Sequence, residues 1–286
     1  MPDTSYILTL SCPDGVGIVA AVTNELAQHG ALITEAQHFR EPVSNSSVLR
    51  IVFESGTGAI VDIDDFERDF ALVAERFRMS WKMRKAALRP RVLVAVSKQG
   101  HCLNSLLHRW KVGTLPIEIV GVVSNHETQR RLVEWHGLRF HYLPIEPAGK
   151  AAQERQLFDL FRALDADLLV LARYMQILSS ELCKDLAGKA INIHHSFLPG
   201  FKGARPYHQA HVRGVKLIGA TAHYVNDDLD EGPIIEQAVE RVDHTMTPEE
   251  LTTLGNEIES VVLNRAIQWH AEDRIFEFGQ RTVVLK

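Results

Sequence analysis

The sequence predicts an α/β protein of two units, a small βαββαβ sandwich followed by a doubly wound, mostly parallel sheet. The chain has 286 residues, which corresponds to about two domains at roughly 150 residues each. After residue 91, short apolar runs alternate with helical segments, a pattern typical of a parallel sheet with helices on both faces. Before residue 91 the elements follow a different order: strand, helix, two strands, helix, strand.

The N-terminal unit is predicted over residues 1–86. A strand at residues 6–10 leads through turn-forming residues into a helix whose apolar residues share one face, at Ile18, Val19, Val22 and Leu26. Strands at 31–40 and 47–54 follow. The second helix repeats phenylalanine at helical spacing, with Asp64 or Asp65 as its cap. Alternation over 79–84 predicts the last strand, which completes a ferredoxin-like sandwich.

A basic, proline-containing linker is predicted at 87–90, and the second unit covers 91–286. Its strands are expected at 92–96, 117–123, 168–172 and 190–193, with helices between them and a long helix near 248–269. In such sheets ligands bind beyond the carboxyl ends of the strands. The residues that follow Ile193 are therefore the first place to look for a site.

Composition excludes several classes of function. The chain carries 31 basic and 36 acidic residues, a net charge of −5, so nothing draws the whole molecule to nucleic acid or an anionic membrane. Its three widely spaced cysteines form neither a disulfide framework nor a metal-binding pair. The first residues lack the basic and apolar stretches of a signal peptide, and no apolar run approaches the roughly 20 residues that span a bilayer. We expect a cytoplasmic protein.

Several sequence motifs are missing. No G-x-G-x-x-G, P-loop, H-E-x-x-H or G-x-S-x-G pattern occurs, which removes the main support for dinucleotide, nucleotide, zinc-protease and α/β-hydrolase functions. The turn at 97–102 contains one glycine and makes a poor phosphate cradle. No spacing suits a metal, so we expect no metal and no cofactor.

Two polar clusters carry the candidate chemistry. Asn192 and His194 lie two residues apart near a strand end, so their side chains project from one face. An amide beside an imidazole suits a site that polarises a carbonyl and moves protons. The acidic loop at 227–231 offers a carboxylate to orient the imidazole and raise its pKa. A hydrogen-bonded strand end and a solvated turn would explain the same residues, and this reasoning leaves both interpretations open.

These clusters resemble a known family. Asn192-Ile-His194, Ser196-Phe-Leu-Pro199, Gly203 and residues 227–233 closely resemble the signature of folate-dependent formyltransferases, over roughly 91–239. The resemblance implies a catalytic triplet of Asn192, His194 and Asp230. It also implies substrate contacts on the two sides of a folate pocket, at Met175, Gln176, Ile177, Leu178, Val225, Asn226 and Asp227.

Three features resemble the hydrolytic branch of that family. The N-terminal unit is similar to an ACT domain, His194-His195 and residues 203–210 resemble the hydrolytic members, and the turn at 97–102 lacks the glycines that hold a substrate phosphate. The resemblance implies hydrolysis of 10-formyltetrahydrofolate to formate and tetrahydrofolate, which balances one-carbon pools and supplies formate for purine biosynthesis. The alternatives are a formyltransferase acting on a small amine, and a non-catalytic folate or amino-acid sensor.

The ACT resemblance implies regulation and assembly. Asp14, Gly15 and Gly17 are candidate effector-binding residues at a helix start, although turn formation alone would also explain them. Glycine and methionine are the effectors expected first, and a homo-oligomer, a tetramer, is the expected assembly. Lys98, His101, Arg205 and His208 are candidates for the site entrance. His195 is a candidate to pack under the site or tune His194.

Overall fold

The structure is a computed structural model that describes residues 5–56, 62–145, 149–198 and 206–286. The chain divides into two compact units. Unit 1 comprises residues 1–89, 272–278 and 283–286, and unit 2 comprises residues 90–271 and 279–282. Within the described ranges, no helix is both long and apolar enough to cross a membrane.

Unit 1 has the βαββαβ order that the sequence predicts. Its elements are β1 (Tyr6–Pro13), α1 (Ile18–Gln28), β2 (Ala31–Glu41), β3 (Ser46–Ser55), α2 (Ile63–Phe77) and β4 (Ser80–Lys85). The strands form an antiparallel sheet in the order β2-β3-β1-β4. Apolar residues of the sheet and of both helices form one core, which includes Leu8, Val22, Phe53, Phe66 and Phe70.

Two details of unit 1 differ from the sequence expectations. The cap of α2 is Asp62, whose carboxylate accepts hydrogen bonds from the amides of Asp64 and Asp65. Asp64 and Asp65 instead occupy the first turn, where acidic side chains suit the helix dipole. On α1, Ile18, Val22 and Leu26 are buried, whereas Val19 is 40% exposed. The apolar face of α1 is therefore narrower than predicted.

Residues 272–278 and 283–286 belong to unit 1, although they follow α8 of unit 2 in sequence. After α8 a hairpin forms from β12 (Ile275–Phe278) and β13 (Arg281–Val284). Just before it, the Asp273 carboxylate pairs with Lys82 and Arg84 of β4. Arg50 of β3 is 1% exposed and pairs with Glu35, while its Nε donates to the Glu272 carbonyl at 2.8 Å. Charged contacts thus tie residues 272–274 to the N-terminal sheet.

Unit 2 contains a seven-stranded mixed sheet. Its strands are β5 (Arg91–Val96), β6 (Glu118–Ser124), β7 (Phe140–Tyr142), β8 (Leu168–Leu171), β9 (Ala190–His194), β10 (Leu217–Tyr224) and β11 (Ile234–Arg241). The spatial order is β11-β10-β9-β8-β5-β6-β7. Strands β5 to β9 pair in parallel, and β10 and β11 are antiparallel to their neighbours. The order reverses between β5 and β8, and such a reversal opens a crevice for ligands.

In the described part of unit 2 there are six α-helices. They are α3 (His101–Lys111), α4 (Arg130–Trp135), α5 (Lys150–Ala163), α6 (Ser180–Asp185), α7 (Pro206–Arg213) and α8 (Pro248–Ala271). A capping box opens α8: the Thr247 hydroxyl accepts from the Glu250 amide, and the Glu250 carboxylate accepts from the Thr247 amide. β5 and β8 are buried along almost their whole length, as expected of central parallel strands.

Candidate active site

The two residues of the Asn-x-His motif lie on β9, between β8 and β10. Asn192 is paired with Leu171 of β8 on one side and with His223 of β10 on the other, and His194 is paired with Thr221. His194 is the last residue of β9. Both side chains project from the same face of the sheet, so strand pairing fixes their spacing before any substrate binds.

An ion pair joins His194 to the acidic loop. Nδ1 of His194 lies 3.1 Å from Oδ1 of Asp230, and both side chains are mostly buried. Nε2 of His194 is buried and has no partner among the described residues. Because Nδ1–H donates to the carboxylate, Nε2 is the atom that remains for substrate. Asp230 itself has φ of 59°, a left-handed conformation that turns its carboxylate back toward β9.

Asp230 is held as an anion. Burial alone would raise the pKa of its carboxyl, but the hydrogen bond from His194 outweighs that cost and lowers the pKa well below its ordinary value.

His223 supports Asn192. Nδ1 of His223 lies 2.8 Å from the Tyr224 carbonyl oxygen, so this nitrogen carries the proton in the neutral ring. Nε2 is then an acceptor, and it lies 3.2 Å from Nδ2 of Asn192. One amide hydrogen of Asn192 is thus used to fix the side chain, and the second stays available for substrate. Nε2 of His223 also lies 3.8 Å from Oδ1 of Asp230.

Gly232 allows the acidic loop to close on β10. A Cβ at this position would lie 1.7 Å from the Tyr224 carbonyl oxygen and 3.1 Å from Nδ1 of His223. The amide of Tyr224 donates to the Pro233 carbonyl at 2.9 Å. Only glycine fits so close a backbone approach, which explains the Glu-Gly-Pro sequence directly after Asp230.

A cavity of about 360 Å³ opens beside these residues. Asn192, His194, His223 and Asp230 line one part of it. The substrate contacts implied by the resemblance all line the remainder, at Met175, Gln176, Ile177, Leu178, Val225, Asn226 and Asp227. The structure therefore brings every implied catalytic and substrate residue to one cavity. The carboxylate of Asp227 lies 3.5 Å from Nζ of Lys184.

The wall formed by residues 173–178, called the wall segment below, is anchored to the end of β5. The Ser97 amide donates to the Arg173 carbonyl at 3.2 Å, and the Met175 amide donates to the Ser97 hydroxyl at 3.1 Å. Arg173 adopts φ of 64°, in the left-handed region. The wall segment therefore lies at the strand-order reversal, across the carboxyl ends of β5 and β8.

The entrance candidates lie in different places. His208, on α7, lines a second cavity with His195, and His195 also lines the first and stacks on His194 with ring centroids 5.1 Å apart. His101 instead bonds to Glu259 at 2.7 Å, and the side chain of Lys98 is exposed. Arg205, Pro199 and Gly203 lie outside the described residues.

The candidate effector residues of unit 1 lie before α1. The Asp14 carboxylate accepts from the Ser47 hydroxyl at 2.5 Å and pairs with Arg40 at 2.5 Å. The Ser47 hydrogen bond, reinforced by Arg40, lowers the pKa of the Asp14 carboxyl. Gly17 has φ of 89° at the N-cap of α1, and Gly15 lies in the turn before it. Asp14 thus ties the turn to β2 and β3.

Sequence reasoning missed three residues of this region: His223, Arg173 and Glu259. His223 lies a few residues before the acidic loop, but only the β9–β10 register shows that it faces Asn192. Arg173 lies just before the implied folate contacts at 175–178, yet no local sequence pattern predicts an arginine in the left-handed conformation. Glu259 lies far from Arg173 in sequence, and the pattern of apolar residues along α8 does not single it out.

The lowered pKa of the Asp230 carboxyl should make the stability of the folded protein depend on pH. Because its folded pKa is depressed, ionised Asp230 stabilises the native state above its unfolded pKa of about 3.9, and this contribution is lost as the pH falls toward the folded value. We therefore compare the free energy of unfolding of the wild type with that of Asp230→Asn. As the pH falls from 6 to 3, the wild type should lose stability relative to the variant. Denaturant unfolding at each pH measures it, and a constant difference would contradict the prediction.

The chain matches the formyl transferase family over residues 90–267. It is 50% identical over 281 residues to a formyltetrahydrofolate deformylase of Corynebacterium sp. strain P-1, covering 98% of each chain. A crystal structure of formyltetrahydrofolate deformylase from Burkholderia mallei superimposes with a TM-score of 0.93 at 52% identity, covering 99% of this chain and 100% of that one. Glycinamide ribonucleotide transformylase 1 from Symbiobacterium toebii gives a TM-score of 0.64 at 30% identity, over 69% and 95% of the chains.

The family model matches well over half of the chain, so the chain belongs to the formyl transferase family. The relatives from Corynebacterium sp. and Burkholderia mallei, which match along nearly the whole chain, are both named formyltetrahydrofolate deformylase. The ribonucleotide enzyme covers about two thirds of it.

Proposed function

We propose that this chain hydrolyses 10-formyltetrahydrofolate to formate and tetrahydrofolate, with Asn192, His194 and Asp230 as its catalytic residues. The observation that carries the proposal is the His194–Asp230 pair, whose unpartnered Nε2 belongs to a cavity formed by the family's folate-contact residues. The name borne by relatives along nearly the whole chain agrees with it. This activity needs no bound cofactor, since the folate is the substrate and water the acceptor.

The folate ring binds between the wall segment and residues 225–227. Apolar side chains of Ile177, Leu178 and Val225 flank the cavity and suit the faces of a planar ring. Asn226 donates from Nδ2 to the Glu231 carbonyl at 3.4 Å, and its buried Oδ1 has no partner in the described part of the chain. That oxygen is available to accept a hydrogen bond from a ring N–H.

The reaction then follows from the cavity's polar edge. Water oxygen attacks the formyl carbon, and the carbonyl oxygen becomes an oxyanion that the Asn192 amide and protonated His194 Nε2 stabilise. Asp230 holds the imidazolium through its Nδ1–H. As the C–N10 bond breaks, Nε2–H of His194 gives its proton to N10, and the proton lost by the attacking water returns to Nε2. Tetrahydrofolate and formate leave, and one proton is released overall at neutral pH.

Water, and not an amine, is the acceptor in this proposal. The turn at 97–102 offers one glycine, and a Cβ at that Gly100 would lie 2.4 Å from the Gln129 side chain, so the turn is already packed. Incubation with 10-formyltetrahydrofolate alone tests the point, because hydrolysis releases formate without an added acceptor. Turnover only with an amine would indicate a transferase, and folate binding without formate release would indicate a sensor.

Hydrolysis of this folate would balance one-carbon pools and supply formate for purine biosynthesis. We place the reaction in the cytoplasm, where thiols stay reduced. Cys12, Cys102 and Cys183 are buried free thiols, and burial raises the pKa of all three. None of them takes part in the proposed chemistry.

Unit 1 is proposed to act as an ACT-type regulatory and assembly domain, in a homo-oligomer that we expect to be a tetramer. Its βαββαβ order and the turn of Asp14, Gly15 and Gly17 before α1 support this. We expect glycine or methionine to bind there and change the rate of formate release. Calorimetry with each amino acid, and the same titration on Asp14→Asn, measures the effect. Absence of binding by both would leave unit 1 with assembly alone.

A further inference from the structure

The strongest unassigned feature is a buried carboxylate behind the wall segment. Glu259 of α8 is fully buried, and its two oxygens have separate partners. Oε1 accepts from the Tyr207 hydroxyl at 2.7 Å, and Oε2 accepts from Nε2 of His101 at 2.7 Å. Oε2 also lies 3.5 Å from Nε of Arg173. One side chain therefore joins α3, α7, α8 and the segment after β8.

Arg173 connects this carboxylate to the wall of the folate cavity. The arginine is 8% exposed, and its Nε and Nη2 donate to Oε1 of Gln99 at 2.9 and 2.5 Å. Its own backbone is left-handed, the less favourable conformation for any residue with a Cβ. The side-chain contacts on Gln99 and Glu259 hold the residue at which the chain leaves β8 and enters the wall.

The helix that carries Glu259 is shaped to receive its partners. One turn before it, Gly255 leaves room for the Tyr207 ring: a Cβ there would lie 2.1 Å from Cζ and 2.2 Å from the hydroxyl oxygen. Gly255 and Glu259 are four residues apart and lie on the same face of α8. Tyr207 thus packs over Gly255 and hydrogen-bonds to Glu259.

The charge of Glu259 is balanced by its neighbours. His101, Cys102 and Glu259 offer ligand atoms within 4.8 Å of one another, and burial raises the pKa of the Cys102 thiol. Burial would also raise the pKa of Glu259, but His101, Arg173 and Tyr207 together lower it, so the carboxylate is an anion whose charge is already paired.

We propose that Glu259 is a positioning residue, which acts through Arg173 to fix the wall segment in the shape that binds the folate ring. It does not touch the reacting atoms. Asn192 and His194 lie on β9 and Asp230 lies in the loop after β10, whereas Glu259 lies on α8. Loss of the Glu259 charge should therefore weaken folate binding and leave the chemical step almost unchanged. The inference rests on the proposed folate site.

The test is a double-mutant cycle on tetrahydrofolate binding. Glu259→Gln keeps the shape and removes the charge, and we expect the Kd for tetrahydrofolate and the KM for the formyl substrate to rise on the order of tenfold, with kcat within about twofold of the wild type. Arg173→Met should have a similar effect. In the double variant the two increases in Kd should not add, because each single substitution already breaks the contact between Glu259 and Arg173.

Two further variants keep the test decisive. Glu257→Gln, an exposed neighbour on the same helix, should leave Kd unchanged. Gln99→Leu removes the second side-chain partner of Arg173. Because Gln99 is exposed in a loop, this variant should fold and raise the Kd for tetrahydrofolate even if Glu259→Gln does not fold. Unchanged Kd in folded Glu259→Gln, additive effects in the cycle, or a fall in kcat at constant KM would each overturn the proposal. A wild type that binds tetrahydrofolate but releases no formate would overturn only the proposed function.

Discussion

Replacing His194 by alanine is expected to lower kcat by on the order of 10²–10³, the usual cost of removing one preorganised oxyanion donor. The side chain supplies the unpartnered Nε2 of the site and the imidazolium that Asp230 stabilises. Asn192→Ala should lose a similar factor, because its free amide hydrogen is the second donor. Single-turnover measurement of formate release separates this loss from any change in binding.

Controls for these variants follow from the structure. The Kd for tetrahydrofolate should stay near the wild-type value, since the ring contacts come from the wall segment and residues 225–227. His211→Ala, which removes an exposed histidine of α7, should leave the rate unchanged. Near-normal turnover in folded His194→Ala or Asn192→Ala would refute the proposed catalytic triplet.

Replacing Asp230 by asparagine is expected to have the largest effect, a fall in kcat between about 10³ and 10⁴, as when a carboxylate that orients a catalytic imidazole is lost. Asparagine tolerates the left-handed φ of this position, so the backbone should stay in place. The amide carries no charge, however, and cannot stabilise the imidazolium of His194. Both the rate and its pH profile should change.

The pH profile distinguishes this role from a structural one. Oδ1 of Asp230 lies 3.1 Å from Nδ1 of His194, so the imidazolium that takes part in the proposed reaction loses its counter-charge when Asp230 is replaced by asparagine. We expect residual activity in Asp230→Asn to have its optimum at lower pH than the wild type. Glu240→Gln, on the exposed side of β11, is the matched control for charge. A profile parallel to the wild type would contradict the assignment.

Much of the fold could be predicted from local patterns. The buried runs that became β5, β8 and β9 are continuous in sequence, and the phenylalanines of α2 repeat at helical spacing, so each element is recognisable alone. β7 has only three residues, and its place depends on pairing with β6. The C-terminal hairpin was not predicted at all, because its packing depends on ion pairs such as Asp273 with Arg84, far apart in the chain.

For the candidate site, too, some features could be predicted from local sequence and others depend on long-range packing. Asn192 and His194 are two residues apart on one strand, and the family signature places Asp230 with them, so the resemblance implied the triplet and the structure brings its members together. The support for the triplet depends on long-range geometry. His223 faces Asn192 only through strand register, and Glu259 reaches Arg173 only through the packing of α8. No local pattern encodes either contact.

The most direct test of the central claim is formate release from 10-formyltetrahydrofolate with no acceptor other than water. The account predicts formate and tetrahydrofolate in equal amounts from the purified wild-type protein, and almost none from His194→Ala under the same conditions. Equal rates in the two proteins, or formyl loss only when an amine is added, would contradict it.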